Sequence, residues 1–180
     1  LGGGHSGASR RVPKWGVVAG AAATEAESAA FGENIGLSRT RGDDRTLLAD
    51  TKIDAGQVCT PNALHFPVAK AALQAGKAVL CEKPLTLSVA EAREWVELAA
   101  AGNLANCVNL NLRYYPVVQQ IRRMIEAGEL GDVLIAQGTY SQDWLLYDTD
   151  WNWRIDTKAK GAHGAMGRRW RQRRDRRQLR

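Results

Sequence analysis

Short apolar runs alternate with longer segments of helical periodicity, and this alternation limits the chain to few folds. Trp15–Ala19, Ala55–Cys59, Ala78–Cys81 and Asn106–Leu110 read as strands, with a longer one over Val133–Ser141. An alanine-rich helix is expected over Ala23–Asn34. Asn62 is placed to cap a second helix with Leu64, Val68, Ala71, Ala72 and Ala75 on its apolar face, closed by Gly76. Ser88-Val89-Ala90-Glu91 is a capping box, and Val89, Ala92, Val96 and Ala99 continue it as an amphipathic helix. Pro116 opens another, with Val117, Ile121, Met124 and Ile125 on one face and Gly128 at its end. Strands separated by helices of this length predict βαβ units around a parallel sheet, an α/β fold.

With 44% hydrophobic and 24% charged residues, the chain has the composition of a globular protein with a real core. No apolar run reaches membrane-spanning length, and no charged-then-apolar leader precedes a cleavage site. Cys59, Cys81 and Cys107 are an odd number without a CxxC pair. Each lies in or beside a strand-like run, which reads as small buried residues of a reducing compartment and makes a cytoplasmic location the expectation. The net charge of +6 is a property of one end. Arg168 to Arg180 holds eight arginines and one aspartate, so the body before it is close to neutral.

Three segments carry candidate chemistry. Cys81-Glu82-Lys83-Pro84 ends the apolar run Ala78-Val79-Leu80, and ligands of open parallel sheets bind beyond the carboxyl ends of the strands. Pro84 biases Lys83 toward extended backbone, fixing where its ammonium points; lysine serves as an acid/base once its surroundings lower its pKa. The plain alternative is a solvated loop lysine. Cys59-Thr60-Pro61-Asn62-Ala63-Leu64-His65 follows another strand and opens a helix, so it is either a ligand loop or a simple cap with His65 packed on the first turn. Gly2-Gly3-Gly4-His5-Ser6-Gly7 satisfies G-x-G-x-x-G, read either as a phosphate-binding loop or as a glycine-rich leader. Only Leu1 precedes it, Pro13 interrupts the stretch before Trp15, and Ala21, Ala22, Ala23 and Thr24 follow the next strand where an acidic residue would mark a free ribose 2′-hydroxyl.

Together these segments resemble the Gfo/Idh/MocA oxidoreductases, the family of glucose–fructose oxidoreductase and inositol dehydrogenase. The resemblance rests on the glycine motif, Thr60-Pro61-Asn62-x-x-His65, and Ala75-Gly76-Lys77-x-Val79-x-Cys81-Glu82-Lys83-Pro84-Leu85. Asn111-x-Arg113-Tyr114-Tyr115-Pro116, Gly128-Glu129-Leu130-Gly131-Asp132-Val133 and Asp150-Trp151-Asn152-Trp153-Arg154 follow in order and spacing. The resemblance implies a Rossmann-like domain over residues 1–111 that binds NAD or NADP, followed at 112–167 by the start of an α/β substrate domain with an open sheet. It implies that Gly2, Gly4 and Gly7 cradle the pyrophosphate and that Thr60, Pro61, Asn62 and His65 line the nicotinamide half. Glu82 would contact a cofactor ribose, and Lys83 would be the catalytic acid/base beside the substrate hydroxyl. Asn111 would sit near the nicotinamide, with Arg113 and Arg154 on cofactor or substrate. The implied reaction is hydride transfer at a sugar or cyclitol carbon, in a family whose members commonly form homo-oligomers.

The chain departs from that pattern after Gly164-Ala165-Met166-Gly167. The family continues with an aspartate and then a histidine; here residues 168–180 are an arginine-rich tail without apolar periodicity, read as a change of reading frame and expected to be disordered. On this reading most of the substrate domain is missing, which leaves Val133–Ser141 as an unpaired edge and favours self-association. A non-catalytic NAD(P)-binding remnant is the alternative function. Salt-dependent, non-specific nucleic-acid binding by the tail is a third, with no specific nucleic-acid partner expected.

Overall fold

The computed structural model describes residues 2–132 and, beyond them, 134, 135, 137–139, 141, 143, 146, 147, 149 and 150. The chain divides into two compact units, Leu1–Val108 and Asn109–Arg180.

In the first unit α1 (Gly2–Ser9) precedes β1 (Gly20–Ala21), α2 (Glu25–Ile35), β2 (Thr40–Arg41) and α3 (Asp44–Leu48). Then come β3 (Ala55–Val58), α4 (His65–Gln74), β4 (Ala78–Cys81), α5 (Val89–Ala101) and β5 (Asn106–Val108). β1 pairs with β2, and β3, β4 and β5 form a second sheet in that order, all in parallel. The expected α/β class is what the chain forms.

Local chemistry explains most boundaries. Thr24 accepts from the Glu27 N–H at the start of α2, and Gly36, at a φ of 64°, closes it in the left-handed conformation that glycine adopts without strain. The Ser88–Glu91 capping box forms as expected at the start of α5. Asn62 does not cap α4. It lies in a 3₁₀ turn, Asn62–Leu64, that leads into the helix, and no side chain caps either element. The expected strand over Trp15–Ala19 begins only at Gly20, because its hydrogen-bonded neighbour is the short segment Arg39–Arg41, opposite Gly20 and Ala21. Trp15 and Val18 remain exposed.

Packing rotates two helices away from the expected faces. The core joins Val58, Val79 and Cys81 of the sheet to Ala69, Ala72 and Leu73 of α4 and to Trp95 and Ala99 of α5. Leu64, Val89 and Val96, read as core positions, are 48%, 70% and 60% exposed. Trp95, at 1%, takes the inward position. An indole carries far more apolar area than a valine, so burying Trp95 decides which way α5 turns. Cys81 is buried and Cys59 half-buried, whereas Cys107 on β5 is exposed, contrary to the expectation that all three lie inside. β5 is the last strand of its sheet among the described residues, so its outer side has no covering neighbour there.

In the second unit a 3₁₀ turn, Asn111–Tyr114, leads into α6 (Pro116–Glu126), with proline in its first turn as expected. Within the expected strand Val133–Ser141, residues 133, 136 and 140 lie outside the described residues, and those between them form no strand.

Candidate active site

The site is built on sheet register. β3 and β4 run parallel with Val58 opposite Cys81, so the residues following each strand, Cys59-Thr60 and Glu82-Lys83, emerge level at the carboxyl edge. The Glu82 N–H donates to the Val58 carbonyl at 2.9 Å, extending the ladder one residue past β4. This is the edge where parallel α/β sheets hold ligands.

His65, 1% exposed, locks the two loops together. Its Nδ1 lies 2.6 Å from the Pro84 carbonyl oxygen and its Nε2 lies 3.0 Å from that of Thr60. The buried ring thus touches the backbone of both loops at the sheet edge. Lys83 and Pro84 are exposed, joined by a cis peptide bond, and Asn62 is half-buried.

Glu82 is a buried carboxylate, 7% exposed. Its Oε2 accepts the Lys83 backbone N–H at 3.1 Å, and its Oε1 lies 2.8 Å from His5 Nε2. His5 belongs to α1, which carries the glycine motif, and its Nδ1 accepts from Gln57 Nε2 at 2.8 Å. Gln57 Oε1 in turn accepts from Ser9 Oγ at 3.5 Å. His5, Gln57 and Ser9 were not among the residues singled out from sequence. Two signals were available: an imidazole inside a glycine motif, and a glutamine within an apolar strand.

The two neighbouring thiols are kept protonated. Burial and then the Glu82 carboxylate push Cys59 up to about 11. Burial, followed by Cys59 and Glu82, pushes Cys81 up to about 12.

The glycine motif is not a loop: Gly2, Gly4 and Gly7 lie within α1. Glycine is costly in a helix interior, yet packing does not demand it at Gly4 or Gly7. A Cβ on Gly4 or Gly7 would meet nothing within 4 Å. The absent side chains leave open space, as an approaching phosphate requires. Thr60 gives the second sign of a fit. Its buried Oγ1 has no hydrogen-bond partner, and such a group costs about 1–3 kcal/mol unless something satisfies it. Trp95 Nε1 is in the same condition, but it lies in the apolar core.

Asn111 and Arg113 are exposed residues of the 3₁₀ turn in the second unit, and Arg154 lies outside the described residues. No group of three or more His, Cys, Asp or Glu able to hold a metal occurs among the described residues. Nor does any helix there have the length and apolarity to cross a membrane.

Residues 4–110 match the oxidoreductase family with the NAD-binding Rossmann fold, and residues 118–168 match the C-terminal domain of the same family. The chain belongs to the Gfo/Idh/MocA oxidoreductase family. Among curated members, levoglucosan dehydrogenase of Pseudarthrobacter phenanthrenivorans is 34% identical over 133 residues, which is 73% of this chain and 34% of that protein. The D-xylose 1-dehydrogenase (NADP(+)) of Hypocrea jecorina is 43% identical over 96 residues, covering 53% of this chain and 25% of that enzyme. Of solved structures, apo levoglucosan dehydrogenase superposes with a TM-score of 0.80 at 30% identity, over 89% of this chain and 44% of that one. An NAD binding oxidoreductase from Klebsiella pneumoniae gives 0.73 at 28% identity, over 89% and 45%. The chain thus spans roughly a third of the length of the curated family members it matches.

Proposed function

We propose that this chain carries the NAD(P)-binding half of a dehydrogenase acting on a sugar or cyclitol hydroxyl. The observation that carries the reading is the level exit of Thr60 and Glu82-Lys83 from β3 and β4, with the glycine helix bonded to the same edge through His5.

The open faces of Gly4 and Gly7 suit the pyrophosphate, with Gly2 beginning the same helix. Thr60 supplies a buried hydroxyl in search of a partner, and Pro61 and Asn62 continue the loop along the nicotinamide half. His65 supports that loop from within. Glu82 offers an oriented carboxylate to a ribose hydroxyl. The nicotinamide, when bound, supplies the hydride acceptor or donor. Lys83, exposed at the sheet edge, takes the substrate hydroxyl proton on Nζ during oxidation and returns it during reduction. Asn111, Arg113 and Arg154 are assigned to cofactor and substrate by resemblance to the family.

The test is titration with NADH and NADPH, followed by nicotinamide fluorescence and by the melting temperature. Saturable binding with a raised Tm is expected, and the tighter nucleotide identifies the cofactor. Absence of binding by either nucleotide at millimolar concentration would overturn the reading.

A further inference from the structure

The hydrogen-bond chain ending on Glu82 has a single consistent direction. Ser9 Oγ donates to Gln57 Oε1, leaving the Gln57 amide nitrogen facing His5 Nδ1 at 2.8 Å. An amide nitrogen only donates, so in this arrangement Nδ1 accepts and Nε2 carries the proton. That Nε2–H points at Glu82 Oε1, 2.8 Å away. The His5 and Glu82 side chains are 15% and 8% exposed, so this charge-assisted bond forms largely out of water, where it is stronger. With the Lys83 N–H on Oε2, both carboxylate oxygens are held by donors. Rotation of the carboxylate would break both bonds together.

Resting on the cofactor reading above, we propose that His5 is a positioning residue. It fixes the direction in which Glu82 presents its carboxylate to the cofactor ribose, and it sets the glycine helix at a fixed height against the Glu-Lys-Pro turn. Residues 77 apart in sequence are thereby joined by one side chain. Gln57, on the strand between them, selects the imidazole tautomer that makes the joint possible. His5 does not act on the substrate; its effect passes through Glu82. A conservative donor should therefore replace it, whereas a side chain that only fills space should not.

The test uses the whole chain and two readouts. The protein has three histidines, so the imidazole ¹⁵N signals can be assigned by single substitutions. The His5 signals should show the Nε2–H tautomer, and Glu82→Gln should shift its Nε2 resonance. An Nδ1–H tautomer, or a resonance indifferent to Glu82→Gln, would overturn the inference. In the second readout, His5→Ala should weaken NADH or NADPH binding at least tenfold. His5→Gln, whose amide can donate to Glu82, should stay within about threefold of the parent chain. Unchanged affinity in His5→Ala, with the parent binding normally, would defeat this inference and leave the cofactor reading standing. A parent chain that binds neither nucleotide would defeat the cofactor reading, and the inference with it. Should His5→Ala fail to fold, the tautomer and the His5→Gln affinity still decide.

Discussion

The Nδ1 atom of His65 lies 2.6 Å from the carbonyl oxygen of Pro84, joining the loop after β3 to the loop after β4. The opposite nitrogen reaches the Thr60 carbonyl at 3.0 Å, so one buried ring spans both walls of the candidate site. Replacing it with alanine removes its contacts with both carbonyls and opens a cavity. His65→Ala should cost roughly 2–4 kcal/mol, read as a lower urea midpoint at unchanged slope. A change under about 0.5 kcal/mol, typical of a surface substitution, would show that the ring does not brace the loops.

The glycines separate into two kinds. At Gly32, a Cβ would sit 2.5 Å from Thr40 Cγ2 and 2.6 Å from the Leu37 carbonyl oxygen. Gly32→Ala should destabilise the chain by roughly 1–3 kcal/mol, because backbone cannot swing aside as a side chain can. Gly4→Ala and Gly7→Ala meet no obstacle and should add about 0.5–1 kcal/mol of helix stability each. If a pyrophosphate uses that space, the same two variants lose nucleotide affinity as they gain Tm. A gain in Tm with unaltered affinity would remove the glycines from the cofactor site.

Much of this architecture is legible in the residues. The Ser88–Glu91 box, Pro116 in the first turn of α6 and the strand Ala78–Cys81 follow from short-range rules, and the structure has them. The family motifs located the two loops at the sheet edge. Three features needed tertiary context. The phase of α5 turns on Trp95 competing with Val96 for the interior, a contest that helical spacing alone does not decide. The strand before α2 depends on a neighbour, Thr40–Arg41, too short to carry a pattern of its own. His5 and Gln57 gain their meaning only once α1 and β3 are side by side.

The thiols give a test of pH dependence. Unfolded cysteine titrates near 8.5, whereas Cys59 and Cys81 in the folded chain are pushed up to about 11 and about 12, mainly by burial. Folding therefore holds protons that the unfolded chain releases. Their contribution to stability is complete below pH 8.5 and is lost as pH rises toward 11 and 12. Alkaline unfolding curves should show the decline, and Cys59→Ala with Cys81→Ala should flatten it. At pH 8 a thiol reagent should modify exposed Cys107 quickly and the other two only after denaturation.

Lys83 is exposed, so its loss should leave stability within about 0.5 kcal/mol of the parent. Lys83→Ala should retain nucleotide binding while abolishing hydride transfer with sugar or cyclitol substrates in any form of the protein that turns over. Retained kcat in that variant would remove Lys83 from proton transfer.

The pairing of Val58 with Cys81 bears on how such a site can change over evolutionary time. Between β3 and β4 the chain crosses α4 and its flanking turns, where a residue gained or lost can be absorbed at the surface. Inside a strand the same event turns every following side chain to the opposite face. The spacing between the Thr-Pro-Asn and Glu-Lys-Pro motifs is thus free to drift by way of the crossover. Their common height on the sheet cannot drift, since a single inserted residue between Ala55 and Val58 would displace Thr60 from the level of Glu82.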